Sequence, residues 1–163
     1  MNLLIVRHGE AENKDPGFSD ADRALTKKGR KEMKEVAAGL KELVPSLFLL
    51  ARSPLVRAVE TAEFILEEYP GLKSIERTEL IPGESLESLV NWLAKQEADG
   101  TIALVGHEPS LSVLASWLLC GSSHSIITLK KAGGCLIEFE DGVGKGTGAL
   151  LWLMTPEQIC RME

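Results

Sequence analysis

Two of the three histidines in this 163-residue chain follow short apolar runs. Leu3–Val6 precedes Arg7 and His8, and Ile102–Val105 precedes His107 with one glycine between. Short runs of leucine, isoleucine and valine are typical of strands buried on both faces. A lone histidine is more often a buried residue satisfied by hydrogen bonds. Two histidines that each follow a predicted strand favour a different interpretation. Open parallel sheets bind ligands beyond the carboxyl ends of their strands, so both side chains are expected in one crevice there. With Arg7 beside them, they predict an anion pocket containing a possible nucleophile.

A third cationic position follows the apolar run Leu47–Ala51, which predicts a second strand. Ser53 and Pro54 are typical of a helix start, with Ser53 as the N-cap and Pro54 at the first helical position. Arg57 then lies one turn into this helix, whose N-terminus favours a bound phosphate. Alone, Arg57 would be interpreted as a solvated residue on a helix face. Together with Arg7 and two histidines, it predicts a site whose guanidiniums hold phosphate oxygens bidentately.

The rest of the chain alternates between strand and helix patterns. Residues 11–24 are polar and predict a surface loop, after which Thr26 is a plausible N-cap for a helix that ends before Pro45. This alternation predicts a three-layer α/β/α sandwich with a mostly parallel sheet, closed by two strands in a hairpin-like arrangement. The further predicted elements are strands at Lys73–Thr78, Thr101–Val105, Cys135–Phe139 and Ala149–Met154, and helices at Leu86–Lys95 and Pro109–Leu119.

The composition limits the function classes. The length fits one domain, residues 1–163, and 44% hydrophobic with 26% charged residues is ordinary for a globular protein. A net charge of −6 argues against nucleic acid as a partner. The three cysteines lack the spacing of a disulfide framework or zinc site, and no apolar run is long enough for a signal peptide or membrane span. We therefore expect a soluble cytoplasmic monomer or small oligomer.

The chain resembles the histidine phosphatase superfamily, also called the phosphoglycerate mutase-like fold. Three motifs carry this resemblance in chain order: Arg7-His8-Gly9-Glu10, Ser53-Pro54-x-x-Arg57-Ala58-x-x-Thr61 and Gly106-His107. More narrowly, the short length and the stretches Asp22–Gly29 and Trp152–Pro156 are similar to the SixA-type phosphohistidine phosphatases. The resemblance spans residues 1–156, and the ordered set of three motifs is a far stronger signal than any one of them.

The resemblance implies a role for each matching residue. His8 is the expected nucleophile, which attacks phosphorus and carries a covalent phosphohistidine that water hydrolyses. Its other ring nitrogen must be held in one tautomer, and we expect a backbone carbonyl near Gly9 to be the acceptor. Arg7, Arg57 and His107 would hold the phosphoryl oxygens and offset the charge of the transition state. We expect no metal ion and no other cofactor, because the cationic side chains take that role.

The proton donor stays open at this point. Glu79 matches by position the carboxyl that ester-cleaving members of the family place after the third strand, but it could equally be a solvated carboxylate beside a turn. Glu10 and Glu108 flank the histidine motifs and are alternatives. Arg23 either contacts substrate at the rim of the site or pairs with a neighbouring aspartate, Asp20 or Asp22. His124 lies in the serine-rich stretch 121–125 and is interpreted as a surface residue.

Three functions are compatible with these residues. The favoured one is a phosphatase acting on a phosphohistidine-bearing protein, because the short link from Glu79 to Leu86 leaves no room for an inserted lid and predicts a shallow, open pocket. Cleavage of the P–N bond of a phosphohistidine also depends less on a general acid, because a protonated imidazole is already a good leaving group. The alternatives are a phosphatase or mutase for a small phosphorylated molecule, such as a sugar or nucleotide phosphate, and an anion-binding module without turnover. The intact set His8, Arg7, Arg57 and His107 disfavours the last.

Overall fold

A computed structural model describes residues 1–96 and 99–162. It contains six strands and five α-helices, with 3₁₀ turns at Asp20–Asp22, Thr78–Leu80 and Cys160–Met162. The elements in chain order are β1 Asn2–Arg7, α1 Lys27–Leu43, β2 Leu49–Arg52, α2 Val56–Glu68, β3 Ser74–Glu76, α3 Leu86–Ala94, β4 Thr101–Gly106, α4 Ser110–Cys120, β5 Gly134–Glu138, β6 Ala149–Met154 and α5 Pro156–Ile159.

The six strands form one sheet in the order β3-β2-β4-β1-β5-β6. The first four are parallel, whereas β5 runs antiparallel to both β1 and β6. The two runs that carry the histidines, β1 and β4, are therefore neighbours, with Arg7 paired opposite Gly106. This register brings the residues that follow both strands to the same edge of the sheet.

Helices cover both faces of the sheet, because successive side chains of a strand point to opposite faces. In β1, Leu3 and Ile5 belong to the core beneath α3 and α4, whereas Leu4 and Val6 belong to the core beneath α1 and α2. All four side chains are fully buried. The arrangement is a three-layer sandwich, which confirms the predicted fold class of a mostly parallel α/β sheet.

The start of α1 is built against the chain that follows β1. The Thr26 hydroxyl accepts a hydrogen bond from the amide of Gly29 at 2.9 Å, which makes Thr26 the N-cap as predicted. A Cβ atom at Gly29 would lie 2.2 Å from the backbone oxygen of Glu10, so only glycine permits this close approach. The contact fixes the chain two residues beyond His8.

The predicted start of α2 was wrong. Ser53 is not its N-cap: the helix begins at Val56, and the N-cap position is taken by Leu55, which makes no side-chain capping bond. The physical reason is that the Ser53 amide still donates to the Val105 carbonyl at 3.0 Å and so continues the ladder between β2 and β4. The Ser53 hydroxyl is used elsewhere, in the site described below.

The polar loop between β1 and α1, residues 11–24, is called the rim loop here. Its base is closed by a bridge between Ala11 and Leu25, and its last part contains the 3₁₀ turn Asp20–Asp22. The last strand has the predicted bounds, Ala149–Met154, and the other predicted elements are present with shifted ends. The third strand is only three residues long. None of the helices in the described part of the chain is both long and apolar enough to cross a membrane.

Candidate active site

The two histidines lie side by side where β1 and β4 end. Their ring centroids are 5.0 Å apart and their planes are inclined by 53°. The His8 amide donates to the Gly106 carbonyl at 3.1 Å, which ties the chain after β1 to the chain after β4. Both side chains are almost completely buried, with 7% of His8 and 2% of His107 exposed. The predicted shared crevice therefore exists, and the parallel register creates it.

His8 is held in one orientation by the turn that follows it. Its Nδ1 lies 2.7 Å from the Gly9 carbonyl oxygen, the contact expected from the sequence. Because a carbonyl can only accept, Nδ1 carries the proton and Nε2 carries the lone pair. The Gly9 amide in turn donates to the Thr61 hydroxyl at 3.1 Å, and that hydroxyl donates to the Arg57 carbonyl at 2.7 Å. Thr61 thus ties the turn at His8 to α2.

His107 is oriented by Ser53, the serine wrongly assigned to the helix cap. The His107 Nε2 lies 2.8 Å from the Ser53 hydroxyl, which is fully buried at the end of β2. The same hydroxyl accepts a hydrogen bond from the Leu55 amide at 3.3 Å. His107 therefore sits between the ends of two strands and cannot rotate without breaking a buried hydrogen bond.

Two guanidiniums complete the cluster. Arg7 donates from Nη1 to the Leu129 carbonyl at 2.9 Å. Arg57, which is 3% exposed, donates from Nη1 to the Asp20 carbonyl at 2.8 Å and from Nη2 to the Asp20 carboxylate at 3.1 Å. The same carboxylate accepts from the Arg23 Nε at 2.9 Å. Arg23 therefore pairs with Asp20, one of the two alternatives that the sequence left open.

Several donors of this cluster are buried without a partner. Among the described residues, five buried side-chain nitrogen or oxygen atoms make no hydrogen bond, and three of them are Arg7 Nε, Arg57 Nε and His107 Nδ1. Unsatisfied buried polar atoms are rare because each costs free energy. Their concentration around two cationic side chains indicates a site organised for an anion with several oxygens.

The electrostatics keep both imidazoles neutral. The pKa of His8 is lowered to about 4, mainly by burial and to a smaller extent by the nearby charges of Arg57 and Arg7, while the hydrogen bond to the Gly9 carbonyl opposes the shift. Burial also lowers the pKa of His107 to about 3, with further contributions from His8 and Arg57. Near neutral pH, His8 is therefore an unprotonated imidazole in a positive field. That is the state required of a nitrogen nucleophile.

The three candidate acids are engaged outside this cluster. Glu79 forms an ion pair with Arg77, whose guanidinium lies 4.7 Å from the centre of the Trp92 ring. Glu10 accepts from the Thr26 hydroxyl at 3.1 Å, and Glu108 accepts from the Ser112 amide at 2.9 Å. Within the described residues, no hydrogen bond or ion pair joins any of the three to His8 or His107.

The remaining sequence candidates lie at the edge of the site or away from it. A concavity of about 660 Å³ is lined by residues of the rim loop, including Phe18 and Arg23. Arg23 also pairs with Asp20, which connects this concavity to the cluster. His124 is exposed and contacts only the neighbouring serines in the described structure. No group of three metal-ligating side chains is present in residues 1–96 and 99–162.

Three residues that contact the cluster were not given their observed roles from sequence. Thr61 was part of a quoted motif, and a hydroxyl four residues after Arg57 on a helix was the available signal. Ser53 had a role, but the wrong one, because a serine before proline reads equally well as a cap. Asp20 was named only as a possible partner of Arg23. Its pairing with Arg57, 37 positions away, had no signal in the sequence.

Comparisons with known proteins agree with this geometry. A sequence model of the histidine phosphatase superfamily (branch 1) matches residues 3–81. An uncharacterized protein of Picosynechococcus is 36% identical over 135 residues, 82% of each chain. The protein histidine phosphatase SixA complexed with tungstate superposes with a TM-score of 0.84 at 23% identity, covering 98% of this chain and 99% of that one. A mycobacterial glucosyl-3-phosphoglycerate phosphatase in complex with inorganic phosphate reaches a TM-score of 0.74 at 19% identity, covering 96% and 98%. On these residues, this fold and these matches, the chain belongs to the histidine phosphatase superfamily.

Proposed function

We propose that the protein is a phosphatase that transfers a phosphoryl group to His8 and then to water. One observation carries this proposal: His8 is a buried, neutral imidazole whose Nδ1 is bound to the Gly9 carbonyl, so that Nε2 keeps its lone pair among Arg7, Arg57 and His107. A structural histidine needs a hydrogen bond, but it does not need two guanidiniums nearby. An enzyme that develops negative charge on phosphoryl oxygens does need them.

The reaction runs in two displacements. Nε2 of His8 forms a bond to phosphorus as the bond to the leaving group breaks, and the leaving group takes a proton. Water then attacks the phosphohistidine, inorganic phosphate departs, and the electron pair returns to Nε2. If the Ser53 hydroxyl donates to Nε2 of His107, then Nδ1 of His107 carries a proton and can donate to a phosphoryl oxygen. Arg7 and Arg57 stabilise the remaining charge.

Protein-borne phosphohistidine is the substrate class we favour. Its leaving group is an imidazole, which departs without a strong general acid, and the candidate acid Glu79 is engaged by Arg77. Only residues 81–85 separate the turn at Thr78–Leu80 from α3, so no inserted segment encloses a small ligand on that side. The SixA likeness supports the same choice through the fold alone, because identity to that structure is 23%.

A small phosphorylated molecule is the second candidate, and one observation favours it. The concavity beside Arg23 has a volume of about 660 Å³, within the range of small-ligand sites. Its lining mixes an exposed aromatic ring, Phe18, with the charges of Glu12, Lys14 and Arg23. From sequence, contact with the substrate at the rim of the site was one of the two roles left open for Arg23.

Trapping the intermediate tests the reaction. Rapid quenching during turnover, followed by peptide mass spectrometry at neutral or alkaline pH, should find phosphate on His8, since phosphohistidine is acid-labile. The exposed His124 provides the matched control: His124→Ala should retain the phosphorylated His8 peptide, and His8→Ala should lose it. A phosphorylated His124, or turnover with no phosphoenzyme at any quench time, would contradict the proposal.

A second experiment separates the two substrate classes. The ratio kcat/KM should be higher for a phosphohistidine-bearing protein than for sugar or nucleotide phosphates. Glu79→Gln should leave phosphohistidine hydrolysis within about twofold of wild type, because general acid catalysis contributes little when the leaving group is already good. A higher kcat/KM for a small phosphomonoester, together with a loss on the order of 10²-fold in Glu79→Gln, would favour the second candidate.

A further inference from the structure

The carboxylate of Asp20 occupies the phosphate-binding arginines. One oxygen lies 3.1 Å from Arg57 Nη2 and the other lies 2.9 Å from Arg23 Nε, while the Asp20 carbonyl accepts from Arg57 Nη1 at 2.8 Å. Both terminal nitrogens of Arg57 therefore donate one hydrogen bond to the same residue. A carboxylate bridging two guanidiniums makes the same charged hydrogen bonds that a phosphoryl group would make.

Burial shows that this contact also limits access. The Arg57 side chain is 4% exposed, whereas the Asp20 side chain that lies on it is 42% exposed. His107, the other expected phosphoryl ligand, is 2% exposed. A phosphoryl group entering from solvent must reach Arg57, and the terminal nitrogens of Arg57 are those covered by Asp20. The predicted shallow, open pocket is therefore closed on this side by the rim loop.

The charge of Asp20 acts on the same groups. The Asp20 carboxylate raises the pKa of His107 in opposition to the cations around it, which places its charge within range of the cluster. Partial burial would raise the pKa of Asp20 itself, but Arg57 and Arg23 outweigh this effect and lower it. Asp20 is thus ionised near neutral pH and subtracts one unit of positive charge from the site.

The base and the tip of the rim loop are attached to the body of the protein through separate contacts. At the base, the Leu25 amide donates to the Glu60 carboxylate at 2.7 Å, and Ala11 bridges Leu25. At the tip, Asp20 is bound to the body of the protein through its contacts with Arg57. Arg23 moves with the loop, since its second bond is to the Glu12 carbonyl within the same loop.

We propose that Asp20 is a built-in ligand of the phosphate site, bound to Arg57 in the free protein and displaced from it by the incoming phosphoryl group. The inference rests on the proposed function, because it takes Arg57 as a phosphoryl ligand. It makes Asp20 a specificity-determining residue: a doubly charged phosphoryl group displaces it, whereas a carboxylate ligand only exchanges one carboxylate for another. Asp20 thereby discriminates against the abundant carboxylates of the cell.

Calorimetric titration with inorganic phosphate tests the displacement in the full chain. Asp20→Asn, which keeps the shape and removes the charge, should bind phosphate on the order of tenfold more tightly than wild type. Asp20→Ala should also bind more tightly, which covers the case in which asparagine retains the contact with Arg57. The matched control is Asp22→Asn, two residues away and exposed, for which we expect a change below about threefold because its charge is screened. Affinity unchanged or weakened in both Asp20 variants would overturn the proposal.

Two further readouts distinguish a displaced ligand from a residue that merely positions Arg57. In Asp20→Asn, KM should fall without a fall in kcat, and acetate should bind detectably where it does not in wild type. A fall in kcat with KM unchanged would overturn the proposal in favour of positioning. An experiment that rejects the displacement of Asp20 can be distinguished from one that rejects the proposed function. Turnover through phosphorylated His8 with no Asp20 effect rejects only this inference, whereas tighter phosphate binding without any phosphoenzyme rejects only the reaction.

Discussion

The floor of the site and its rim are held in place by different forces. The floor consists of His8, Ser53 and His107, each immediately beyond a strand of the parallel sheet and each almost fully buried. The rim is the loop of residues 11–24, which is largely exposed and is joined to Arg57, next to the floor, by the ion pair of Asp20. Strand register and buried hydrogen bonds fix the first, and solvent-facing charges fix the second.

This difference teaches that chemistry and access are separable in this fold. Moving a floor residue requires breaking the sheet ladder or exposing unpaired polar groups, each of which costs about 1–3 kcal/mol. Moving the rim requires breaking two ion pairs of Asp20. The pair with Arg23 is partly exposed and contributes about 0–1 kcal/mol, whereas the pair with Arg57 has a buried guanidinium on one side and an exposed carboxylate on the other. Substitutions in the floor should therefore change the rate of the chemical step, and substitutions in the rim should change which ligands enter.

The largest expected effect is at the nucleophile. His8→Ala should lower the rate of phosphate release on the order of 10⁴-fold or more, because the proposed covalent intermediate forms on His8 and Nε2 of His107 is engaged by Ser53. Phosphate release under single-turnover conditions measures it, with thermal melting to confirm that the variant is folded. His124→Ala serves as the control and should keep the wild-type rate. A near-normal rate in His8→Ala would remove the basis for assigning the chemistry to the floor.

Arg57 lies where floor and rim meet, and its removal comes next. Arg57→Ala should lower kcat/KM on the order of 10²-fold or more, as does the loss of one preorganised donor in other enzymes. Arg57→Lys should recover little of this, since an ammonium group does not reproduce a bidentate guanidinium. The measurement is steady-state kinetics with one substrate across the three proteins. Full recovery in Arg57→Lys would show that charge alone matters there.

A smaller loss is expected for the residue that orients His107. Ser53→Ala should lower kcat on the order of tenfold while KM stays nearly constant, because the imidazole loses its partner but remains in the pocket. Ser53→Thr, which restores the hydroxyl, should recover part of the rate if the added methyl group is accommodated. The exposed Ser122 provides the control variant, Ser122→Ala. A change in KM rather than kcat would place Ser53 in substrate binding.

The buried imidazoles predict a distinctive pH dependence. The pKa values of His8 and His107 lie at about 4 and about 3 instead of 6.5, so the unfolded chain binds their protons first as the pH falls. The free energy of unfolding should therefore decrease below pH 6.5, by about 1.4 kcal/mol per pH unit for each imidazole, until the folded values are reached. Activity should stay level from about pH 5 to about pH 8 because His8 remains neutral.

Denaturant unfolding at a series of pH values measures this slope. His8→Asn should make it shallower by the contribution of one group, and His124→Ala should leave it unchanged. A rate that instead titrates near the ordinary histidine pKa would show that the floor is solvated during turnover.

The smallest effect is expected in the rim. Arg23→Gln removes an ion pair that is partly exposed, so kcat with a small test substrate such as p-nitrophenyl phosphate should change by less than about threefold. KM for the physiological substrate class is the more sensitive quantity, because Arg23 lines the concavity beside the site. A fall in kcat as large as that of Arg57→Ala would place Arg23 in the floor and erase the distinction drawn above.

The sequence by itself determined where the two histidines of the floor lie. Apolar runs of the right length, each followed by a histidine or a cap-like serine, specify buried strands and place their next residues at the carboxyl edge of the sheet. The same reasoning gave the hydrogen bond from His8 to the Gly9 carbonyl, because both groups lie in one turn. Such inferences succeed when the cause is local, because the side-chain alternation of a strand and the geometry of a turn each depend on only a few consecutive residues.

Only the tertiary structure decided the partners of the remaining side chains. Ser53 could cap a helix or orient His107, and the continuation of the β2–β4 ladder at Val105 selected the second. Glu79 could be an acid of the site, but Arg77 lies two residues away and pairs with it. Asp20 meets Arg57 across 37 positions because α2 and the rim loop pack together, and no local pattern encodes that distance. Ion pairs between residues that are distant in sequence depend on how the helices, strands and loops pack together. The contacts of the rim loop could therefore be identified only from the tertiary structure.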